Sequence, residues 1–257
     1  MRPFACSLAV ALFACSPAKK GPDAPPQTVD LLAHAQKAVA APDRDADDRA
    51  LDAGRKPAEV LSFCGIGPGA KVADLGAGRG YTTELLARIV GPTGKVWAQN
   101  NKFVLEKFAE APWAARLKKP IMAGVVRVDR EFDDPLPAEA KGLDAAVMVL
   151  FYHDSVWLET DRTKMNKAIF AALKPGGTYC VVDHAAAAGH GLDDVKTLHR
   201  IEEAAVVKEI TAAGFTVAGK SDVLANPADT HDWNDSPSAA ADKRGTSDRF
   251  VIRFTRP

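Results

Sequence analysis

The chain has 257 residues, 47% of them hydrophobic and 26% charged, proportions ordinary for a globular protein with one sizeable α/β core. Its 33 Lys and Arg equal its 33 Asp and Glu, a balance that gives no support for nucleic acid as a partner, and none is expected. No run approaches the roughly 20 apolar residues that a membrane-spanning helix needs.

Taken in chain order, Arg2 and the apolar run 6–14 (CSLAVALFA) read as a signal peptide over residues 1–14. Leu12-Phe13-Ala14-Cys15 resembles the lipobox of bacterial lipoproteins, which implies cleavage before Cys15 and a lipid on its thiol. A plain secretory signal is the alternative. Residues 15–28, with the run PAKKGPDAPPQ, read as a Pro-rich tether. The expected address is the cell envelope, facing the periplasm, with membrane contact only through the lipid on Cys15. Cys64 and Cys180 remain in the folded part, far apart in apolar surroundings, and are expected to be buried free thiols; a disulfide formed in an oxidising compartment is the alternative, which their spacing does not imply.

Residues 29–60 form an N-terminal helical segment. A helix is expected over 29–40. In the charged run that follows, Asp45, Asp48, Arg49, Asp52, Arg55 and Lys56 recur at near-helical spacing up to Pro57. Such a run is either a solvated face laced with ion pairs or a cover over a ligand site.

Residues 61–257 form an α/β domain. KVADL (71–75) is a strand, TTELLARIV (82–90) a helix stopped by Gly91-Pro92, and KVWAQ (95–99) the next strand. A helix over 105–117 and a strand over 124–128 follow. LDAAVMVLF (143–151) is apolar apart from Asp144 near its start, as expected of a central strand buried on both faces. Then come a helix over 163–173, closed by Lys174-Pro175-Gly176-Gly177, a strand over 178–182, and one helix over 195–213. Strands over 215–221 and 249–255 lack a helix between them and should pair as an antiparallel hairpin. The alternation predicts a Rossmann-like, doubly wound sheet of seven strands with the last antiparallel. In such sheets ligands sit beyond the carboxyl ends of the strands, at the switch point. That rule selects Asp74 to Tyr81, Gln99-Asn100, Asp129, Tyr152-His153-Asp154 and Asp183-His184.

Gly76, Gly78 and Gly80 in VADLGAGRGY spell GxGxG, and Tyr81 stands where a dinucleotide fingerprint needs its third glycine. Asp74 places a carboxylate at the strand end, which repels a pyrophosphate and attracts an ammonium. A nicotinamide cofactor is thereby disfavoured and an amino-acid-bearing nucleoside favoured. VADLGAGRG, DAAVMVLFYHD, LKPGGTYCVVDH and ITAAGF, in that order, resemble the motifs of the class I S-adenosylmethionine-dependent methyltransferases, more narrowly a group of exported bacterial predicted methyltransferases. The resemblance covers roughly residues 43–257. It implies S-adenosylmethionine as cofactor, with Asp74 on the methionine amino group, Gly76, Gly78 and Gly80 admitting the ligand, and Tyr81 and Thr82 opening the helix beneath it. Where the family has an acid on the ribose, this chain has Gln99 and Asn100. The acid on adenine is Asp129 or Asp133.

FYHD departs from the family's proline-rich motif for amide-nitrogen acceptors and points to a small-molecule acceptor. His153, flanked by Tyr152 and Asp154, is the candidate base, or else a hydrogen-bonded structural residue. Asp154 and Asp183, with His153 or His184 nearby, could hold a divalent cation, but their spacing specifies no metal and no metal site is assigned. The polar stretch 226–248 is either a lid, with His231 and Trp233 on it, or a surface insertion. A non-catalytic envelope lipoprotein that keeps the fold and binds another small ligand is the competing reading. It is motivated by Gln99 and by the address, because S-adenosylmethionine is made in the cytoplasm.

Overall fold

A computed structural model describes Met1 and residues 29–257; the signal peptide, Cys15 and the tether fall in residues outside that description. Three helices come first: α1 (Leu31–Val39), α2 (Ala46–Arg55) and α3 (Pro57–Phe63). Asp30 caps α1 by accepting from the Ala33 amide at 3.1 Å, and Pro57 stands at the first position of α3, where a missing N–H costs nothing. Alternation then sets in with β1 (Lys71–Leu75), α4 (Tyr81–Val90) and β2 (Lys95–Asn100). The helix expected over 105–117 is broken into α5 (Lys102–Val104), a π-helical turn over Leu105–Ala109, and α6 (Glu110–Arg116). After β3 (Val125–Asp129) and β4 (Leu143–Val149) come α7 (Tyr152–Trp157), α8 (Arg162–Ala172), β5 (Leu173–His184), α9 (Val195–Leu198), α10 (Glu203–Ala212), β6 (Thr216–Ser221) and β7 (Arg249–Thr255).

The strands form one seven-stranded sheet in the order β3-β2-β1-β4-β5-β7-β6. The β1–β2, β1–β4, β2–β3 and β4–β5 pairs are parallel, and β7 runs antiparallel between β5 and β6. The order reverses between β1 and β4, so the switch point lies where the chain leaves those two strands. The strand period of two divides the core. Ala73, Leu75, Ala146, Met148 and Val181 face one side with α8 and α10, while Val72, Ala145, Val147, Cys180 and Val182 face the other with α1, α3 and α4.

Three expectations are corrected. Cys64, at the end of α3, and Cys180, in the middle of β5, are joined in a disulfide with a Cα–Cα separation of 5.5 Å, not free. Their distance in sequence hid the pairing, because α3 packs across the sheet. β4 ends two residues early: Leu150 turns out at φ 57° and α7 begins within FYHD. The single helix over 195–213 is two, interrupted at His199 (φ 59°) by a short bridge that brings Ile201 beside Ala185.

Candidate active site

The glycine loop leaves β1 with Gly76, Gly78 and Gly80 all at positive φ, a region that side chains disfavour. At Gly76 the need is also steric, since a Cβ there would fall 2.5 Å from the Phe151 ring. Beneath the loop Asp74 is 1% exposed and its Oδ2 accepts from the Thr83 hydroxyl at 2.5 Å. Burial raises its pKa to about 6, and the Thr83 bond pulls the other way. Among the described residues no cation is paired with it. Thr82, half-buried in the first turn of α4, does not make this bond; its neighbour Thr83 does.

Gln99 and Asn100, both fully buried, turn back onto the loop. Gln99 Oε1 accepts from the Gly76 amide at 3.1 Å while its Nε2 donates to the Arg130 carbonyl at 2.6 Å. Asn100 Oδ1 accepts from the Gly78 amide at 2.7 Å and its Nδ2 donates to the Gly78 carbonyl at 3.0 Å. Phe151, half-buried, lies on Gly76 and stacks on Phe132 with 4.8 Å between ring centroids. Neither phenylalanine was singled out in the sequence; Phe151 begins the very FYHD quartet that was.

Tyr81 donates its hydroxyl to Asp52 Oδ1 at 2.7 Å, and the Arg55 guanidinium stands 4.5 Å over its ring. Burial, followed by the Asp52 bond, pushes that phenol well above its ordinary pKa. The charged run is not a solvated face laced with its own i,i+4 pairs: α2 reaches the glycine loop through the Asp52–Tyr81 bond, and its buried Asp48 pairs with the distant Arg116 at 2.5 Å. Asp129 is exposed and held by Arg127 at 2.8 Å. Tyr152 points away from the strand ends, donating to Glu209 at 2.8 Å and accepting from Asn166 at 2.9 Å. It does not join His153 and Asp154.

What the strand ends do assemble is a group of imidazoles and carboxylates. Asp183, the penultimate residue of β5, accepts from the His153 amide (2.8 Å), the His153 ring Nδ1 (2.6 Å) and the His184 amide (2.8 Å). A carboxylate only accepts when ionised, so His153 Nδ1 carries the proton that faces it, and Nε2 is left as the ring nitrogen without a partner. Burial opposes charge on His153, but Asp183 and Asp154 outweigh it and raise its pKa above the ordinary histidine value. His199, delivered by the break after α9, sets its ring edge-on to His153 with centroids 4.0 Å apart. Burial, then the neighbouring His153 and His184 charges, depress its pKa to about 3. His184 is anchored through Nδ1 to Asp235 and to Ser247 Oγ, the latter at 2.9 Å.

Residues 226–248 supply Asp235 and Ser247 and are packed rather than detached. Arg200, fully buried just after His199, pairs with Asp229 at 2.8 Å. Asp229 also accepts from Trp233 Nε1 (2.7 Å) and from the His231 amide (3.1 Å). Of the two residues singled out there, Trp233 lies over Arg200 at 4.6 Å, and His231 pairs outward with Asp248 at 3.1 Å.

No protein-family model matches the chain. Among solved structures it is similar to an S-adenosylmethionine-dependent methyltransferase from Aquifex aeolicus, at 17% identity and a TM-score of 0.56, over 78% of this chain and 89% of the other. A candidate sarcosine dimethylglycine methyltransferase from Galdieria sulphuraria aligns at 16% identity and a TM-score of 0.55, over 82% and 88% of the two chains. A glycopeptide N-methyltransferase solved with S-adenosyl-L-methionine aligns at 15% identity and a TM-score of 0.51, over 78% and 87%. At these identities the likeness establishes the fold: the sheet order with its antiparallel β7 is the Rossmann-like fold of these methyltransferases.

Proposed function

We propose that the chain binds S-adenosylmethionine over the Gly76–Gly80 loop and transfers its methyl group to a small-molecule acceptor. The observation that carries this reading is Asp74. A buried carboxylate with a pKa near 6 is largely ionised at neutral pH, yet among the described residues its one side-chain partner is a hydroxyl. Buried charges are retained when something pairs with them, and a ligand bearing an α-ammonium at the switch point is the partner that fits. The methionine end of the donor carries that ammonium, and its sulfonium supplies the methyl group.

The chain's own part is positioning, because transfer from a sulfonium is an in-line displacement. Asp74 and the glycine backbone hold the amino-acid end, and Tyr81 with Asp52 closes the mouth. Phe151 must turn off Gly76 for the loop to be approached; being half-buried, it has solvent on one side to turn into. His153 is fully enclosed and its Nε2 faces protein groups, so this reading gives it no proton to carry. We also propose that the protein acts in the cell envelope. The lipobox-like Leu12 to Cys15 motivates this, and the Cys64–Cys180 bond supports it, since disulfides persist in oxidising compartments.

A second reading, a ligand-binding protein that keeps the fold without methyl transfer, is favoured by one observation. Asn100, at the ribose position, spends both its amide groups on Gly78. Calorimetry with S-adenosylmethionine and S-adenosylhomocysteine separates the two. Binding of both, lost in Asp74→Ala, supports the first reading; binding of neither leaves the second.

A further inference from the structure

Beyond methyl transfer, and independently of it, we propose that His153, Asp154 and His199 form a binding site for a first-row divalent transition cation such as Zn²⁺. His153 Nε2 is buried and has no hydrogen-bond partner. Buried polar atoms are almost always satisfied, and this one cannot be satisfied by Asp154, whose Oδ1 stands 3.5 Å away, too far for a strong bond. The same oxygen is 4.0 Å from His199 Nδ1. One ligand atom from each of the three residues lies within 4.8 Å of the others. Ligands sharing a tetrahedral zinc at bonds of about 2.0–2.1 Å stand about 3.3 Å apart, so the three, too far apart for hydrogen bonds, would draw in by some tenths of an ångström to close round one ion.

The surroundings follow the same logic. Asp183 fixes the His153 ring through Nδ1 at 2.6 Å, which leaves Nε2 as the donor atom and is the carboxylate–histidine arrangement found behind metal-bound imidazoles. His199 sits at φ 59°, in the left-handed region that histidine visits more often than most side chains. It is held there from both sides, by the Ile201 amide on the His184 carbonyl and the Asp235 amide on the Leu198 carbonyl, each at 3.0 Å. The Asp154 and His199 side chains keep 25% and 23% exposure, so the site is open toward solvent for a water or an exogenous ligand. Two imidazoles and one carboxylate suit zinc or iron(II) and disfavour magnesium and calcium, which take all-oxygen shells. The other acid cluster, Asp45, Asp48 and Glu84, offers a contrast. Its carboxylates are already paired with Arg116, Lys119 and Arg88, so it has no need of an ion.

The test is a Co²⁺ titration of the purified, chelator-stripped chain without any methyl donor, followed by visible absorption and then by displacement with Zn²⁺. One equivalent should give the intense d–d bands of a four- or five-coordinate ion, bleached by zinc. His199→Asn, which tolerates positive φ, and Asp154→Asn should each abolish the bands while the metal-free proteins melt with the wild type. Asp183→Asn, acting through His153, should weaken Co²⁺ affinity by about 10–100-fold. The proposal is overturned if the wild type gives no bands, or if His199→Asn and Asp154→Asn both retain them. Because no adenosyl ligand is present, failure here leaves the methyl-donor reading standing, and the converse holds.

Discussion

Asn100 grips Gly78 by both its amide groups, accepting from the backbone N–H at 2.7 Å and donating to the carbonyl at 3.0 Å. The residue that could reach a ribose is thus used to set the shape of the loop that a ribose would lie beside. A carboxylate could not replace it without loss, because an ionised acid accepts but does not donate. Asn100→Asp should therefore loosen the loop, lowering the melting temperature. The lost bond to the Gly78 carbonyl is of the order of 1 kcal/mol. Scanning calorimetry of the two proteins at pH 7.5 checks this, and an unchanged melting temperature contradicts it.

Phe151 covers Gly76 and stacks on Phe132. Lifting the ring costs that stack, about 0.5–1.5 kcal/mol, and any ligand of the loop must offset it. Phe151→Ala should then tighten S-adenosylhomocysteine binding by about five-fold, from the relation of tenfold per 1.4 kcal/mol. Isothermal titration against wild type is the measurement; weaker binding would mean that the ring contacts the ligand instead of blocking it.

Asp74 has a folded-state pKa near 6 against an ordinary 3.8, raised by burial. Between those values the folded state binds more protons than the unfolded, so the group's contribution to stability falls as pH rises through the window and stays unfavourable above it. Asp74→Asn removes that cost. The gain is on the order of 3 kcal/mol at pH 7.5, falls below about 1 kcal/mol at pH 4 and vanishes at lower pH. Denaturant titrations at the two pH values test it, and an equal effect at both would contradict it.

The fold was legible because β4 is apolar after Asp144, strands and helices alternate along the chain, and the glycine loop punctuates the first strand–helix turn. The site was half legible. Asp74, Gly76, Gly78, Gly80 and His153 stand at strand ends, where the topology rule alone finds them. Thr83, Phe132 and Phe151 escaped because apolar and hydroxyl residues carry no chemical flag. His199 was placed on a continuous helix because residues 195–213 keep a helical stripe; tertiary pairing of Ile201 with Ala185 overrides that local pattern. The Cys64–Cys180 bond escaped because nothing in a 116-residue separation says that two chain segments meet.

That bond closes a long loop, and loop-closure entropy makes it worth about 2–5 kcal/mol. Cys64→Ser with Cys180→Ser should lower the melting temperature by on the order of 10 °C, since each kcal/mol shifts a domain of this size by about 2–4 °C. Differential scanning calorimetry with and without reductant gives the answer; a reductant-insensitive wild type that matches the variant would refute it.

The buried Arg200–Asp229 pair latches residues 226–248 onto the segment that presents His199. Breaking it by Asp229→Ala strands a guanidinium in the interior and should cost about 3–5 kcal/mol. Limited proteolysis should then cut within 226–248 in the variant and spare that stretch in the wild type. Equal protection would show that the latch lies elsewhere.

The glycine loop is proposed to receive a methyl donor through Asp74. A crystal soaked with S-adenosylhomocysteine tests it most directly. The predicted result is the ligand's ammonium on Asp74 with Phe151 turned away from Gly76; density for Phe151 still on Gly76, with the ligand absent or bound elsewhere, would contradict it.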